Sequence, residues 1–150
     1  MSPVLPATVE RVPRNTAESV NADLERQTAD NVRRWAAGGP GAIDCRLEEL
    51  DREWDIERAI EANASAIALV GLLLGATMSR RWFALPAVVA GFLLQHALQG
   101  WCPPVPVLRR LGMRTAPEIA RERFALKAVR GDFAGVEASG PEEALRAVDR

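Results

Sequence analysis

Apolar positions are spread unevenly along this 150-residue chain, and their absence of interruption is the first thing to explain. After Glu61 no Asp, Glu, Lys or Arg occurs from Ala62 to Ser79, and after Arg80 and Arg81 none occurs from Trp82 to Leu108. A helix rises about 1.5 Å per residue, so a hydrocarbon core of roughly 30 Å takes about 20 apolar residues to cross. The stretches 59–78 (AIEANASAIALVGLLLGATM) and 82–100 (WFALPAVVAGFLLQHALQG) both meet that requirement. The pattern therefore predicts two spanning helices, with Glu61 at headgroup level and Trp82 and Trp101 as interfacial aromatics. Pro86 falls in the first turns of the second stretch, where a missing donor does little harm. A buried hairpin in a soluble domain is the other reading, but few apolar residues elsewhere are available to cover it.

The link Ser79–Arg81 is so short that the two spans form an antiparallel hairpin with both chain ends on one side. Arg46, Arg52, Arg58, Arg109, Arg110 and Arg114 flank the spans on that side, against Arg80 and Arg81 in the loop. The excess places both ends in the cytoplasm. No secretory signal is expected at the start, where MSPVLPATVE has neither a basic opening nor an apolar run.

The flanks carry a thinner, helical pattern. Pro3, Pro6 and Pro13 predict an extended, poorly ordered start over 1–14. Asn15 with Glu18 reads as a capping box opening a helix over about 16–37, striped by Val20, Leu24, Val32 and Trp35 and stopped by Gly38-Gly39-Pro40-Gly41. Asp44 is the expected cap of a second helix carrying Leu47, Leu50, Trp54 and Ile60, and no breaker separates Leu47 from Met78, so one continuous helix is expected to enter the membrane. After the second span, Pro103, Pro104 and Pro106 turn the chain. Val107, Leu108 and Leu111 beside Arg109 and Arg110 suit a membrane surface. Thr115-Ala116-Pro117-Glu118 is a second capping box, opening a helix to about Arg130 with Ile119, Phe124 and Val129 as its apolar residues and Gly131 as its stop. The tail 137–150 reads as mobile, with one short helix after Pro141. The expected fold class is all-α: a two-helix transmembrane hairpin (54–115) between a charged helical N-terminal region (1–53) and a C-terminal helix with its tail (116–150).

Charge supports this division and narrows the function. Residues 1–58 hold 12 acids and 8 bases, and residues 109–150 hold 7 acids and 9 bases. The whole chain is near neutral, which argues against nucleic-acid binding. Two distant Cys exclude a disulfide-dense scaffold and a Cys-x-x-Cys pair. The charged flank 46–58 mixes both signs, as a solvated helix face or a partner-binding face does.

Within the spans, Gly71 and Gly75 form a small-x-x-x-small motif that Ala64 and Ala68 extend, while Ala87 and Gly91 offer small positions on the second span. These residues pack the hairpin or, in the sharper reading, a homodimer. Asn63 and Ser65 begin the first span and Gln95, His96 and Gln99 end the second, so the polar residues share one leaflet. They either hydrogen-bond across the hairpin and to headgroups, or make His96 a ligand or proton carrier. Cys102 lies at the boundary and is a candidate reactive thiol, exposed there enough to react, or else structural; a helix C-terminus disfavours the thiolate unless Arg109 and Arg110 fold back. Cys45 is isolated. No metal site and no cofactor motif is found.

Residues of about 54–115 resemble the YgaP-like transmembrane domain, a bacterial inner-membrane hairpin. The resemblance is carried by Asp55-Ile56-Glu57-Arg58, Gln99-Gly100-Trp101-Cys102-Pro103 and Leu108-Arg109-Arg110-Leu111-Gly112. It implies a multi-pass inner-membrane location, a tendency to dimerise, and Cys102 at the family's motif cysteine. In the namesake the hairpin anchors a rhodanese, but here the first 58 residues lack strand patterning and Cys45 lies in no rhodanese loop. The expected function is thus a non-enzymatic membrane anchor or interaction module, with the lipid bilayer, a second copy and a cytoplasmic protein as partners. The alternative is a membrane-surface thiol or persulfide protein acting through Cys102, with His96, Gln99, Gln95 and Asn63 as polar support. A third reading, a transporter or channel subunit, needs oligomerisation, because two spans cannot enclose a pore.

Overall fold

In the computed structural model, residues 6–136 and 140–149 are described; every regular element among them is helical and none is a strand. They are α1 (Glu18–Ala37), α2 (Pro40–Arg52), α3 (Ile56–Thr77), α4 (Ala84–Gln99), α5 (Val105–Arg110), α6 (Ala116–Arg130) and α7 (Pro141–Asp149), with 3-10 turns at Pro13–Asn15 and Arg80–Phe83. The expected all-α class holds. Two helical segments, ending at Thr77 and at Gln99, are long and apolar enough to cross a membrane.

The chain divides into two units, each assembled from two segments: the residues up to Leu24 with Trp54–Ala116, and Glu25–Glu53 with Pro117–Arg150. The breaks at 53/54 and 116/117 fall where composition changes. The partnership of the pieces was not anticipated, since the first 24 residues go with the hairpin.

In the first unit α3 and α4 lie antiparallel. The expected continuous helix from Leu47 is broken: Glu53 is extended, and Asp55 caps α3 by accepting from the Arg58 N–H at 2.7 Å. An aspartate competes for the backbone in this way more effectively than it continues a helix. The Arg58 guanidinium also lies over the Trp54 ring, 4.5 Å from its centroid, and the Ile56 N–H finds the Arg114 carbonyl at 2.9 Å. α3 has 22 residues and is about 33 Å long. α4 has 16, about 24 Å, and is shorter than the expected span because its first residues form the 3-10 turn, which adds about 8 Å.

The helices meet through their glycines. A Cβ on Gly71 would stand 2.7 Å from Pro86 Cδ, and one on Gly75 would stand 2.7 Å from the Phe83 ring. At the other end this unit has a hydrophobic core formed by Val12, Ile56, Ile60, Cys102 and Val105, with Leu93, Leu108 and Met113 against it.

Val12 in that core corrects the expectation of a loose start. Residues 8–15 form a turn and a 3-10 turn packed on the hairpin, whereas 1–5 lie outside the described residues. Arg109 is likewise not a surface residue: it is buried, donating to the Met113 carbonyl at 3.2 Å and to Asn21 Oδ1 at 2.9 Å.

In the second unit Ile43, Leu47, Leu50, Ile119 and Leu126 form the core, flanked by Val32 and Trp35. α2 starts at Pro40, after Gly39 at φ +79°, and Asp44 is not its cap; its carboxylate pairs with Arg130 inside the helix. Pro at the first helical position is preorganised and makes the side-chain cap unnecessary. The buried residues of α6 are Ile119, Glu122, Leu126 and Lys127, while the expected Phe124 and Val129 are exposed. Glu122 took a buried position because Arg46 donates to Oε1 at 2.8 Å and Asn31 to Oε2 at 3.3 Å. Burial opposes the Arg46 charge, but Glu122, Glu49 and Glu53 more than offset it and hold the guanidinium above the ordinary arginine range. α7 matches the expected short helix, and the mobile reading of 137–139 falls outside the described residues.

Candidate functional site at the open end of the hairpin

The last turn of α4 leaves four carbonyls without intrahelical donors. Three find partners, two of them far away in sequence. Gly100, at φ +75°, gives its N–H to the His96 carbonyl at 2.7 Å. Arg11 Nη1 donates to the Ala97 carbonyl at 2.9 Å, and Asn15 Nδ2 donates to the Gln99 carbonyl at 2.7 Å. The N-terminal segment is therefore a C-cap for α4, and Arg11 also sets a cation at the negative end of the helix dipole. Gly100 is required twice over, for its left-handed backbone and because an added Cβ would stand 2.3 Å from the Arg11 backbone. Asn15 ends the 3-10 turn and α1 begins only at Glu18, so Asn15 does not stand at the N-cap that the expected capping box requires.

Beneath this cap lie polar atoms without partners: Arg11 Nε, Glu57 Oε2 and both ring nitrogens of the buried His96. Arg11 Nη2 approaches Glu57 Oε1 only to 3.9 Å. Burial, with a smaller push from Asp55, holds the Glu57 carboxyl above the usual carboxylate range despite Arg11. Arg11 and Glu61 are the charges that act on His96.

The expected polar cluster is only partly assembled. His96 is buried, Gln95 half-buried, and Asn63 and Gln99 exposed. The amide of Asn63 donates to the Ala59 carbonyl of its own helix at 2.8 Å rather than across the hairpin. Gly71, Gly75 and Ala64 are buried and Ala68 half-buried, whereas Ala87 and Gly91 are exposed. A Cβ on Gly91 meets nothing within 4 Å.

Cys102 corrects the expectation of an exposed, reactive thiol. It is 2% exposed within the hydrophobic core, and burial pushes its thiol above the ordinary range, against a smaller opposing effect of the Val105 backbone. A thiol held protonated is a poor nucleophile. Cys45, by contrast, is exposed. Among the described residues no group of three or more His, Cys, Asp or Glu side chains is placed to hold a metal ion.

Cys102 does border a cavity of about 410 Å³. One wall is α3, through Ile60, Asn63, Ala64 and Ile67, spaced as one helical face. The other is α4, through Val89, Phe92 and Leu93. Cys102, Pro103, Pro104 and Leu108 complete the lining.

Sequence reasoning missed Arg11, gave Asn15 only a local capping role, and named Glu57 only as part of a motif. Arg11 and Asn15 are four apart, one helical turn, but nothing local indicated that their partners lie more than 80 residues onward. Comparison of the chain with family models, with curated proteins and with solved structures returns no match.

Proposed function

We propose that this chain is an integral membrane protein in which the α3–α4 hairpin anchors helical flanks that act as an interaction module without catalysing a reaction. One observation carries this: the apolar surfaces of the two helices are not buried by the protein itself. Leu69, Leu72, Leu73, Val88, Leu94 and Leu98 are all exposed, Leu73 by 64% and Leu94 by 62%. Only 22% and 6% of the two most apolar windows is buried. Full burial of one such side chain is worth about 1.5–3 kcal/mol, so a soluble protein would forgo that repeatedly where lipid supplies it. The resemblance to YgaP-like hairpins agrees with this reading and implies the bacterial inner membrane.

The arginine excess beside the spans favours cytoplasmic ends. A homodimer, in this reading, would use the Ala87–Gly91 face, because Gly71 and Gly75 are occupied within the hairpin. The sulfur-handling alternative loses support from the burial of Cys102. The test is alkaline carbonate extraction of membranes from cells expressing the protein, followed by aqueous maleimide labelling of a Cys45→Ser, Ser79→Cys variant on both membrane faces. Retention in the pellet, with Ser79→Cys labelled only from outside, is expected. Release into the carbonate supernatant would overturn the membrane reading.

A further inference from the structure

We infer that the cavity between α3 and α4 is a binding site for one alkyl chain of a membrane lipid; this rests on the membrane reading above. Near the loop the helices touch through Gly71 and Gly75. Toward the opposite end Ile67 and Phe92 stand on facing walls and the cavity opens between them. At roughly 30 Å³ per molecule this volume would take on the order of a dozen waters, each needing two to four polar partners. The lining offers the Asn63 amide and the Cys102 thiol, and the amide nitrogen is already committed to Ala59. So apolar a lining favours hydrocarbon over water as the occupant, because an alkyl chain would make the dispersion contacts that both walls offer.

What the hydrocarbon itself supplies fits. Ile67 and Phe92 line the cavity and are also exposed, by 47% and 38%, so the opening is continuous with the apolar surface that faces lipid in our reading. An alkyl chain can enter sideways without passing through water. The α3 wall from Ile60 to Ile67 covers about 10 Å of that chain. Pro103 has no N–H and closes the space without placing a donor in it.

The full chain would be reconstituted into vesicles of phosphatidylcholine and phosphatidylglycerol containing a trace of phosphatidylcholine with a diazirine in one acyl chain. After irradiation, adducts would be mapped by peptide mass spectrometry. Labelling at Phe92, Leu93 or Cys102 several-fold above that at Leu73 and Leu94 is expected. Ile67→Trp at the rim should remove the cavity adducts and leave those at Leu73 and Leu94. Val89→Trp, filling from the opposite wall, should do the same if the first variant does not insert. Equal labelling at all these positions would overturn the proposal, as would labelling confined to Leu73 and Leu94 with none in the cavity. No labelling at Leu73 and Leu94 either would overturn the membrane reading on which it rests.

Discussion

The side chain of Asn15 donates to the main chain of Gln99 at 2.7 Å, joining residues 84 apart at the end of α4. With Arg11 on Ala97, this makes the N-terminal segment part of the hairpin. Asn15→Ala should cost about 0.5–1.5 kcal/mol, the net worth of one hydrogen bond. Arg11→Ala should cost more, because Glu57 also loses its cation. Thermal unfolding in mild detergent reads both, and faster amide exchange confined to the last turn of α4 should accompany them. Unchanged melting in both variants would show that the segment does not cap the helix.

The glycines of the two helices should respond in opposite directions. Gly71→Ala drives a Cβ to 2.7 Å from the Pro86 ring and should destabilise the hairpin by about 1–3 kcal/mol. Gly91→Ala meets open space and should be neutral or stabilise by up to about 1 kcal/mol through helix propensity. Equal losses at both positions would mean that Gly91 is covered by a partner.

Glu57 should confer an inverted pH dependence. Its folded-state pKa is raised by burial, so between the unfolded and folded values the folded chain binds more protons. Stability should fall as pH rises from the ordinary glutamate value of about 4.3 and level off above the folded value. Glu57→Gln should flatten that slope and be the more stable form at neutral pH. A wild-type slope unchanged by the substitution would assign it to other groups.

Removing the Arg46 guanidinium takes its ion-pair partner from the fully buried Glu122 carboxylate. Arg46→Ala should destabilise the second unit by about 3–5 kcal/mol. Adding Glu122→Leu should recover much of that loss, since the charge is then gone as well. Hydrogen exchange across α2 and α6 measures both, and a double variant no better than the single one would contradict the arrangement.

The two cysteines should separate cleanly by reactivity. Under native conditions an aqueous maleimide should modify Cys45 and leave Cys102 until the protein unfolds. Intact mass after a persulfide donor should show no sulfur added at Cys102. A reducible gain of one sulfur atom, lost in Cys102→Ser, would restore the thiol reading.

The hairpin was legible because its cause is local: two uncharged runs and a three-residue link leave little choice. The helix ends were less so. Asp55 looked like one acid in a charged stretch, yet it breaks the helix that Leu47 was expected to continue. Glu122 escaped notice because an acid on an apolar face reads as solvated until Arg46, 76 residues earlier, is placed beside it. The cap on α4 was hidden for the same reason: carbonyls carry no mark in a sequence, and Arg11 and Asn15 serve them from outside any pattern.

Each unit takes one piece from before the hairpin's first helix and one from after its second, and this interleaving governs what can be cut away. A fragment ending near residue 116 keeps α2 but loses α6, so Leu47 and Leu50 are left facing solvent. A fragment starting near residue 54 keeps both apolar helices and removes the donors that close α4. Neither unit is a contiguous cassette, and the protein's parts can be separated by substitution more faithfully than by truncation.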